Sequence, residues 1–376
     1  MSKSETSPVV LLDTGAQWAE IAAEAEPAVL DVLRSGRWAL GPRVAAFEEE
    51  IAEYLGARHA IGVASGSDAL ILALLALDIR PGDEVITTPM TFIATATAIV
   101  RIGAVPVFAD VHGDDLLLDA AAVEKVITKR TRAILPVHLY GQCVDGESFD
   151  ALARAHRLPI VEDACQSVGS ERGAIRSGAW GDLAAFSFYP TKNLSAAGDA
   201  GLVTTNDERL DRRVRRLRDH GSDVRYEHIE VGLNSRMDAL QAAILSVKLR
   251  RLDAWTEARL AHADAYDRLL AEAGLADGLR PLRRHGGRHV FHQYMIRTPR
   301  RDALRAHLAD KGIGSEVYYP IPLHLQECFT QLGYREGDFP VTERAAREVL
   351  ALPIHPGLRP DEIERVVAAL ADFCRG

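Results

Sequence analysis

The hydrophobic pattern of the chain begins with two stretches of helical periodicity. Residues 18–34 carry apolar side chains at near-helical spacing, which predicts an amphipathic helix that ends near Gly36. Glycine and proline mark residues 36–42 as a loop. A second apolar stripe predicts a helix over residues 44–55, closing at Gly56.

Short apolar runs then alternate with helical patterns. The predicted strands are 59–64, 84–87, 105–108, 133–137, 159–162, 184–189 and 201–205. Helices are predicted between several of them, near 68–77, 92–102 and 149–156. This alternation favours a mostly parallel sheet of about seven strands, covered on both faces. In such sheets the functional groups gather beyond the carboxyl ends of the strands.

The pattern changes in the last third of the chain. The predicted elements there are helices through 237–252 and on to 268, a strand in 289–296, and helices at 301–311 and 361–373. A chain of 376 residues also exceeds the size at which one core usually stops growing. We therefore expect a large α/β domain over residues 12–252 and a smaller α+β domain over residues 253–376.

Composition and charge narrow the class of protein. Hydrophobic residues make up 47% of the chain and charged residues 26%, as in soluble globular proteins. The formal net charge of -9 argues against a nucleic-acid partner, because no basic face could release counterions. The arginine-rich segment 209–216 is short and follows acidic residues, so we interpret it as a solvated helix face.

The N-terminus and the cysteines predict a cytoplasmic protein without membrane contact. The first eight residues are polar and lack the apolar core of a signal peptide. The longest apolar stretches, such as 69–77, are too short to span a bilayer. The four cysteines are widely spaced without a C-x-x-C pair, which suits a reducing compartment better than a disulfide framework.

The histidines do not predict a metal site. The closest pair among the candidates is His289 and His292, whose neighbours indicate a strand. Residues three apart in a strand point to opposite faces, so these two imidazoles could not reach one ion.

A turn of small residues suggests phosphate binding. Ser65-Gly66-Ser67 joins a predicted strand to a predicted helix. Unpaired N–H groups and the positive end of the helix dipole face one point at such a turn, which is how proteins bind phosphate. The alternative is a simple capped turn, with Ser67 or Asp68 at the N-cap position.

An acid and a lysine follow at the ends of two later strands. Asp163 ends a strand and Lys192 comes shortly after another. Taken singly, Asp163 could cap a turn and Lys192 could be a surface charge. A phosphate-binding turn, an acid and a lysine in this order are what pyridoxal 5′-phosphate needs: backbone amides for its phosphate, a carboxylate for its protonated ring nitrogen and an amine for its aldehyde.

Six motifs together resemble the DegT/DnrJ/EryC1/StrS family of sugar aminotransferases. They are Ser65-Gly66-Ser67-Asp68-Ala69-Leu70, Pro89-Met90-Thr91-Phe92-Ile93-Ala94-Thr95, Pro136-Val137-His138-Leu139-Tyr140-Gly141, Glu162-Asp163-Ala164-Cys165-Gln166, Ser187-Phe188-Tyr189-Pro190-Thr191-Lys192-Asn193 and Asn234-Ser235-Arg236-Met237-Asp238. The resemblance runs from about Leu12 to near the C-terminus. It implies the fold type I of pyridoxal 5′-phosphate-dependent transferases, with a mixed, mostly parallel seven-stranded sheet flanked by helices and a smaller C-terminal α+β domain.

The resemblance assigns a role to each matching position. Lys192 resembles the lysine that forms the Schiff base with the cofactor, and Asp163 resembles the partner of the pyridine nitrogen. Gln166 resembles the residue near the phenolic oxygen. The remaining matches are the phosphate ligands Gly66, Ser67 and Ser187 and the ring-stacking aromatic residue Phe92.

The resemblance also implies a homodimer with shared active sites. Asn234 looks like the phosphate ligand that the neighbouring subunit donates. The segment 318–324 resembles the loop that approaches the sugar nucleotide. The substrate-binding candidates are Trp38, His220, Arg236, Tyr319 and His324.

The implied activity is amino transfer to a nucleotide-diphospho keto-sugar, with C3 as the favoured carbon and L-glutamate as the donor. The product would serve amino-sugar biosynthesis for a surface polysaccharide or a glycosylated metabolite. Two alternatives stay open: a sugar dehydratase of the same fold, which has histidine in place of the lysine, and a non-catalytic regulator that binds the cofactor. Lys192 speaks against the first, and its combination with Asp163 and Gln166 speaks against the second.

Overall fold

The structure is a computed structural model that describes residues 7–275 and 278–375. Its helices are α1 (Thr14–Ser35), α2 (Pro42–Leu55), α3 (Gly66–Ala76), α4 (Ala94–Arg101), α5 (Ala120–Val126), α6 (Gly146–His156), α7 (Glu208–Leu217), α8 (Ala239–Leu249), α9 (Leu252–Glu272), α10 (Arg301–Asp310), α11 (Pro340–Glu348) and α12 (Pro360–Arg375). Its strands are β1 (His59–Val63), β2 (Glu84–Thr87), β3 (Val105–Phe108), β4 (Thr131–Ile134), β5 (Val161–Asp163), β6 (Glu171–Arg172), β7 (Ile175–Arg176), β8 (Leu183–Ser187), β9 (Gly201–Thr205), β10 (Ser222–Val224), β11 (Glu227–His228), β12 (Arg280–Pro281), β13 (Tyr294–Arg297) and β14 (Val349–Leu352).

Seven strands of the described residues form the central sheet, in the order β3-β2-β4-β5-β8-β9-β1. Parallel bridges at Ile134–Ile160 and Val137–Asp163 join its two parts. Strand β9 is antiparallel to both neighbours, while the other adjacent pairs are parallel. These are the seven strands that the apolar runs predict, and the mixed, mostly parallel sheet is confirmed.

The two N-terminal helices lie where the periodicity places them. Asp13 caps α1, since its Oδ1 accepts a hydrogen bond from the backbone N–H of Ala16 at 2.8 Å. Gly36 ends the helix with a φ of 67°, a conformation that glycine adopts without steric cost. The apolar stripe of α1 buries Ile21 against Trp255, which fixes the helix on α8 and α9.

A small antiparallel sheet, β12-β13-β14, lies in the C-terminal part with α9, α10 and α12. The N-terminal segment reaches this part as well, because Val9 forms a β-bridge with Ile313. The predicted division at residues 252 and 253 falls at the first residue of α9. One buried apolar cluster includes residues from both sides of this boundary, from Val9 to Phe373. The division into two domains stays a prediction.

The arginine-rich segment forms α7, but its interpretation as a solvated face is partly wrong. Arg215 donates to Oε2 of Glu48 at 2.7 Å, and Arg218, just after the helix, is buried and donates to Oε1 of Glu48 at 2.6 Å. Arg213 pairs with Glu230 at 3.2 Å. Because Glu48 is a buried residue of α2, its ion pairs with Arg215 and Arg218 connect α7 to α2.

His289 and His292 precede β13 and do not belong to a strand, so that prediction is wrong. Phe291 between them has a φ of 41°, which interrupts an extended chain. The two rings still face different neighbours: His289 stacks on Phe291 with centroids 3.9 Å apart, and His292 Nδ1 lies 3.2 Å from Asn193 Oδ1. Across residues 7–275 and 278–375, no three His, Cys, Asp or Glu side chains are grouped so that they could hold a metal ion.

No helix in the described part of the chain combines the length and the hydropathy needed to cross a membrane.

Candidate active site

A cavity of about 600 Å³ opens beyond the carboxyl ends of β1, β5 and β8. One side, here called the sheet wall, consists of the residues that end or follow these strands. A second group of lining residues, here called the C-terminal wall, comes from segments after residue 252 and consists of Arg259, His292, Gln293, Tyr318, Tyr319, Ala351, Leu352 and Ile354. Eight of the predicted site residues line the cavity: Gly66, Ser67, Phe92, Asp163, Gln166, Ser187, Lys192 and Tyr319.

The small-residue turn between β1 and α3 meets the end of β8. The N-cap is Ser65, not Ser67 or Asp68, because the Ser65 hydroxyl accepts from the N–H of Asp68 at 3.1 Å. The N–H groups of Gly66 and Ser67 therefore have no acceptor within the helix. A Cβ on Gly66 would lie 2.5 Å from the Cβ of Ser187, so only glycine allows this approach. The turn gathers N–H donors, the helix dipole and the Ser187 hydroxyl, a combination that suits phosphate.

The carboxylate of Asp163 is held in a fixed orientation at the end of β5. The hydroxyl of Thr95 donates to Oδ2 at 2.7 Å, and the N–H of Cys165 donates to Oδ1 at 3.2 Å. Thr91 Oγ1 lies 3.0 Å from Thr95 Oγ1. Since the single hydroxyl proton of Thr95 goes to Asp163, Thr91 must donate to Thr95. This buried chain of hydroxyls orients an acceptor at the cavity.

Lys192 follows β8 in a turn closed by its own N–H, which donates to the carbonyl of Tyr189 at 2.8 Å. Burial lowers the pKa of the Lys192 amine, and the nearby Cys165 and Asp163 raise it in part. A lower pKa increases the fraction of neutral amine, the form that acts as a nucleophile or base. Burial, with the charge of Lys192, holds the pKa of His292 well below its usual range, so that this imidazole is neutral.

Gln166 connects the two walls of the cavity. Its Oε1 accepts from the N–H of Tyr140 at 2.7 Å, and its Nε2 donates to the hydroxyl of Tyr319 at 3.1 Å. The Tyr140 hydroxyl donates in turn to the carbonyl of Tyr318. The ring of Phe92 is 53% exposed, with its centroid 6.0 Å from that of Tyr319. An aromatic face is thus open toward a flat ligand.

Four predicted residues lie outside this cavity, beside one another on the surface: Trp38, His220, Asn234 and Arg236. A β-bridge joins residue 219 to 234, and another joins 39 to 238, so the segments that carry these four are neighbours. Arg236 Nη1 also donates to Asp219 Oδ1 at 3.3 Å. None of the four side chains is buried, and a second protein molecule can reach them.

His324 does not line the cavity. It lies in a short 3-10 helix, Leu323–Leu325, whose first residue donates its N–H to the carbonyl of Pro89 at 2.9 Å. The imidazole is buried, with Nε2 3.0 Å from Oε1 of Glu343 on α11. This turn directs the side chain toward α11 instead of the site.

The cavity is also lined by residues for which the sequence analysis predicted no functional role. Thr95 had a local signal, since it lies in the first turn of the helix that follows β2 and belongs to the motif Pro89-Met90-Thr91-Phe92-Ile93-Ala94-Thr95. Arg259 and His292 had none, because they come from α9 and from the loop before β13. Their positions depend on the packing of the C-terminal part against the sheet.

The donor set fits pyridoxal 5′-phosphate. The cradle at Gly66 and Ser187 suits a phosphate, the fixed carboxylate of Asp163 suits a protonated ring nitrogen, and the amine of Lys192 suits an aldehyde. The open face of Phe92 suits an aromatic ring.

The sequence was compared with known families and proteins. Residues 19–371 match the DegT/DnrJ/EryC1/StrS aminotransferase family. A pleiotropic regulatory protein of Geobacillus stearothermophilus is 47% identical over 98% of this chain and 99% of its own length. The dTDP-3-amino-3,4,6-trideoxy-alpha-D-glucose transaminase of Streptomyces venezuelae is 45% identical, over 99% and 98%. The UDP-N-acetyl-3-dehydro-alpha-D-glucosamine 3-aminotransferase of Acidithiobacillus ferrooxidans is 41% identical, over 99% and 100%.

Solved structures are similar along the whole chain. The X-ray structure of S. venezuelae DesV in complex with a ketimine intermediate has a TM-score of 0.95 and 44% identity, and the match covers 99% of this chain and 100% of that one. The structure of NtdA from Bacillus subtilis with the bound cofactor PMP has a TM-score of 0.93 and 32% identity, covering 100% and 87%.

Proposed function

Because the chain belongs to the DegT/DnrJ/EryC1/StrS aminotransferase family and is a pyridoxal 5′-phosphate-dependent sugar-nucleotide aminotransferase, we propose that it transfers the amine of L-glutamate to C3 of a nucleotide-diphospho keto-sugar. The proposal rests on one cavity, which is lined by Lys192, by the carboxylate of Asp163 and by the start of α3. The amino sugar would enter a surface polysaccharide or a glycosylated metabolite.

The choice of C3 is supported by the names of two relatives. One name gives a dTDP-linked 3-amino sugar, and the other gives a UDP-linked 3-dehydro sugar and a 3-aminotransferase. The cavity of about 600 Å³ is large enough to admit a sugar beside a cofactor.

We assign the chemistry to residues of the sheet wall. Bound pyridoxal 5′-phosphate supplies an aldehyde that takes up an amine and a ring that accepts electrons from the donor's Cα. Lys192 would hold the cofactor at its aldehyde, and its neutral Nζ would move a proton at the donor's Cα. Asp163 keeps the ring nitrogen protonated. The other proposed cofactor ligands are Gly66, Ser67 and Ser187 for the phosphate, Phe92 for the ring face and Gln166 for the phenolic oxygen.

We further propose that the active enzyme is a homodimer in which Asn234 completes the phosphate site of the other subunit. Its position outside the cavity of its own chain, next to Trp38, His220 and Arg236, supports this assignment. These three residues would then contact the substrate from the partner, while Tyr319 contacts it from within the chain. We also propose that the chain divides into two domains between residues 252 and 253.

A panel of dTDP-, UDP- and GDP-linked 3-keto and 4-keto sugars, each offered with L-glutamate, tests the function. The expected result is formation of 2-oxoglutarate and of a product whose amine NMR places at C3. The Lys192→Ala variant should lose activity by roughly 10²–10⁴-fold, since it lacks the proton carrier.

Lys248→Ala is the matched control, because Lys248 is a buried lysine that donates to Ser195 Oγ at 2.8 Å outside the cavity. Equal activity of the two variants would overturn the role of Lys192. Amination of the 4-keto sugars alone would overturn the assignment to C3.

A further inference from the structure

Arg259 is a buried arginine on the C-terminal wall of the cavity. It is 2% exposed, and it reaches the wall from α9. Its Nη1 donates to the carbonyl of Phe291 at 3.1 Å and to that of Ile354 at 2.7 Å. Two carbonyls hold one end of the guanidinium and so fix its plane.

One imidazole separates this guanidinium from the reactive amine. Asn193 follows Lys192 in the chain, and its Oδ1 lies 3.2 Å from Nδ1 of His292. The carbonyl next to His292, that of Phe291, is the one that Arg259 binds. The positive charges of both Lys192 and Arg259 contribute to lowering the pKa of His292, after burial itself. A small molecule bound at the amine therefore lies within reach of the arginine.

Within residues 7–275 and 278–375, Arg259 has no carboxylate partner. Burial lowers the pKa of its guanidinium to about 10, so it is still charged at neutral pH. The neighbouring imidazoles of His262 and His355 offer no opposite charge, and burial and Arg259 both lower their pKa values. A buried charge without a counter-charge is unfavourable, and a ligand with a negative charge would relieve it.

A second polar group of the same wall is unsatisfied. Gln293, next to His292, lines the cavity, and its buried Oε1 accepts no hydrogen bond from the described residues. Rotation of the amide by 180° would present its N–H groups to an acceptor instead. The wall thus contains a fixed cation and an adaptable amide.

We propose that Arg259 and Gln293 bind the α-carboxylate of the amino donor. The guanidinium fork matches a carboxylate geometrically, and it lines the same cavity as Asp163 and Lys192. The carboxylate would hold the donor's Cα beside Lys192. This assignment rests on the proposed use of an amino acid as donor and adds its binding site.

The reaction of cofactor-loaded enzyme with amino acid alone, followed as loss of the cofactor aldehyde's absorbance, tests the assignment. For L-glutamate and L-alanine, the second-order rate constant should fall roughly 100-fold in Arg259→Gln and recover partly in Arg259→Lys, which keeps the charge. The slow reaction with n-propylamine, which has no carboxylate, should be unchanged, as should delivery of the amine from amine-loaded enzyme to a keto-sugar.

Arg301 provides the matched control. It is 9% exposed, it donates to the carbonyls of Ala346 and Val349 at 3.0 and 3.3 Å, and it does not line the cavity. Arg301→Gln should therefore lower the melting temperature without selecting against carboxylate donors.

Three results would overturn the assignment. These are equal losses in the Arg259 and Arg301 variants, equal losses with alanine and propylamine, or a loss with glutamate but not alanine, which would place the arginine at the side-chain carboxylate. If the Arg259 variants fail to fold, wild-type enzyme is compared on L-alanine and L-alaninamide, and equal rates would refute a carboxylate site. Wild-type enzyme that reacts with amino acids but with no keto-sugar would contradict the proposed sugar substrate and leave this assignment intact.

Discussion

Substitution of Gly66 by alanine tests the contact between α3 and β8 on which the phosphate cradle depends. A Cβ at this position would lie 2.5 Å from Ser187 Cβ and 3.0 Å from its Cα. The helix start must then move away from the strand by about 1 Å, because buried contacts are close-packed. Such overpacking lowers the free energy of unfolding by about 1–3 kcal/mol.

The same movement should weaken cofactor binding. An N–H displaced by about 1 Å no longer lies within hydrogen-bond distance of a phosphate oxygen. Loss of one hydrogen bond to a charged group costs about 1.5–3 kcal/mol, which corresponds to a dissociation constant roughly 10- to 150-fold higher. Cofactor titration by absorbance and thermal unfolding of cofactor-free protein measure the two effects separately.

Gly15→Ala is the control for the helix itself. Gly15 also lies in the first turn of a helix, and its added Cβ would meet only Asp13 Oδ1, at 3.4 Å. This variant should be neutral or more stable by up to about 1 kcal/mol. Adding Ser187→Gly to Gly66→Ala removes the clashing Cβ and should restore part of the stability. Gly66→Ala with unchanged cofactor affinity and unchanged melting temperature would refute the reasoning.

Three further predictions concern the acid, the lysine and the second subunit. Thr95→Val removes the hydroxyl bound to Asp163 at 2.7 Å and should lower the free energy of unfolding by about 1–3 kcal/mol, as should Thr342→Val, whose hydroxyl donates to Asp110 Oδ1 at 2.7 Å. Only Thr95→Val should also lower turnover, and equal turnover in the two variants would contradict a role in orienting Asp163. Because burial lowers the pKa of Lys192 below 10.5, the unfolded chain binds its proton more tightly, so cofactor-free protein should gain stability as pH rises toward 10.5. Lys192→Met should flatten this rise in melting temperature between pH 7 and 10, whereas the exposed control Lys125→Met should not. If Asn234 acts in the neighbouring subunit, mixing Lys192→Ala and Asn234→Ala protomers should restore activity to about a quarter of wild type, because half of the dimers then contain one intact site. No recovery, with exchange of protomers verified by mass, would place Asn234 in the site of its own chain.

The sheet wall could be predicted from the sequence because each of its residues is fixed by a local pattern. Ser65, Asp163 and Ser187 lie at or beside the ends of predicted strands, and parallel strands bring such ends to one edge. The N-cap was placed two or three residues too late, at Ser67 or Asp68, because the helix begins within the glycine turn, which composition does not reveal. A short apolar run fixes a strand, but not the residue at which the next helix starts.

The C-terminal wall could not be predicted in the same way. Arg259 and His292 reach the cavity through long-range packing, and neither has a neighbour in sequence that indicates chemistry. His292 was predicted to lie in a strand because its neighbours are apolar. The positive φ of Phe291 interrupts the extended backbone there, and β13 begins only at Tyr294. Trp38 and Asn234 lie outside the cavity of their own chain, and the role proposed for each depends on a second subunit.

The two walls of the cavity could change independently during evolution. The proposed lysine, acid and phosphate ligands lie at or just after strand ends of the central sheet, whereas Arg259, His292 and Tyr319 come from segments after residue 252. If Arg259 and Tyr319 bind the donor and the sugar as proposed, mutations in those later segments alter which donor or sugar is accepted and leave the lysine, the acid and the phosphate cradle in place. Chimeric enzymes that take residues 253–376 from a relative are therefore a direct way to transfer substrate preference between members of the family.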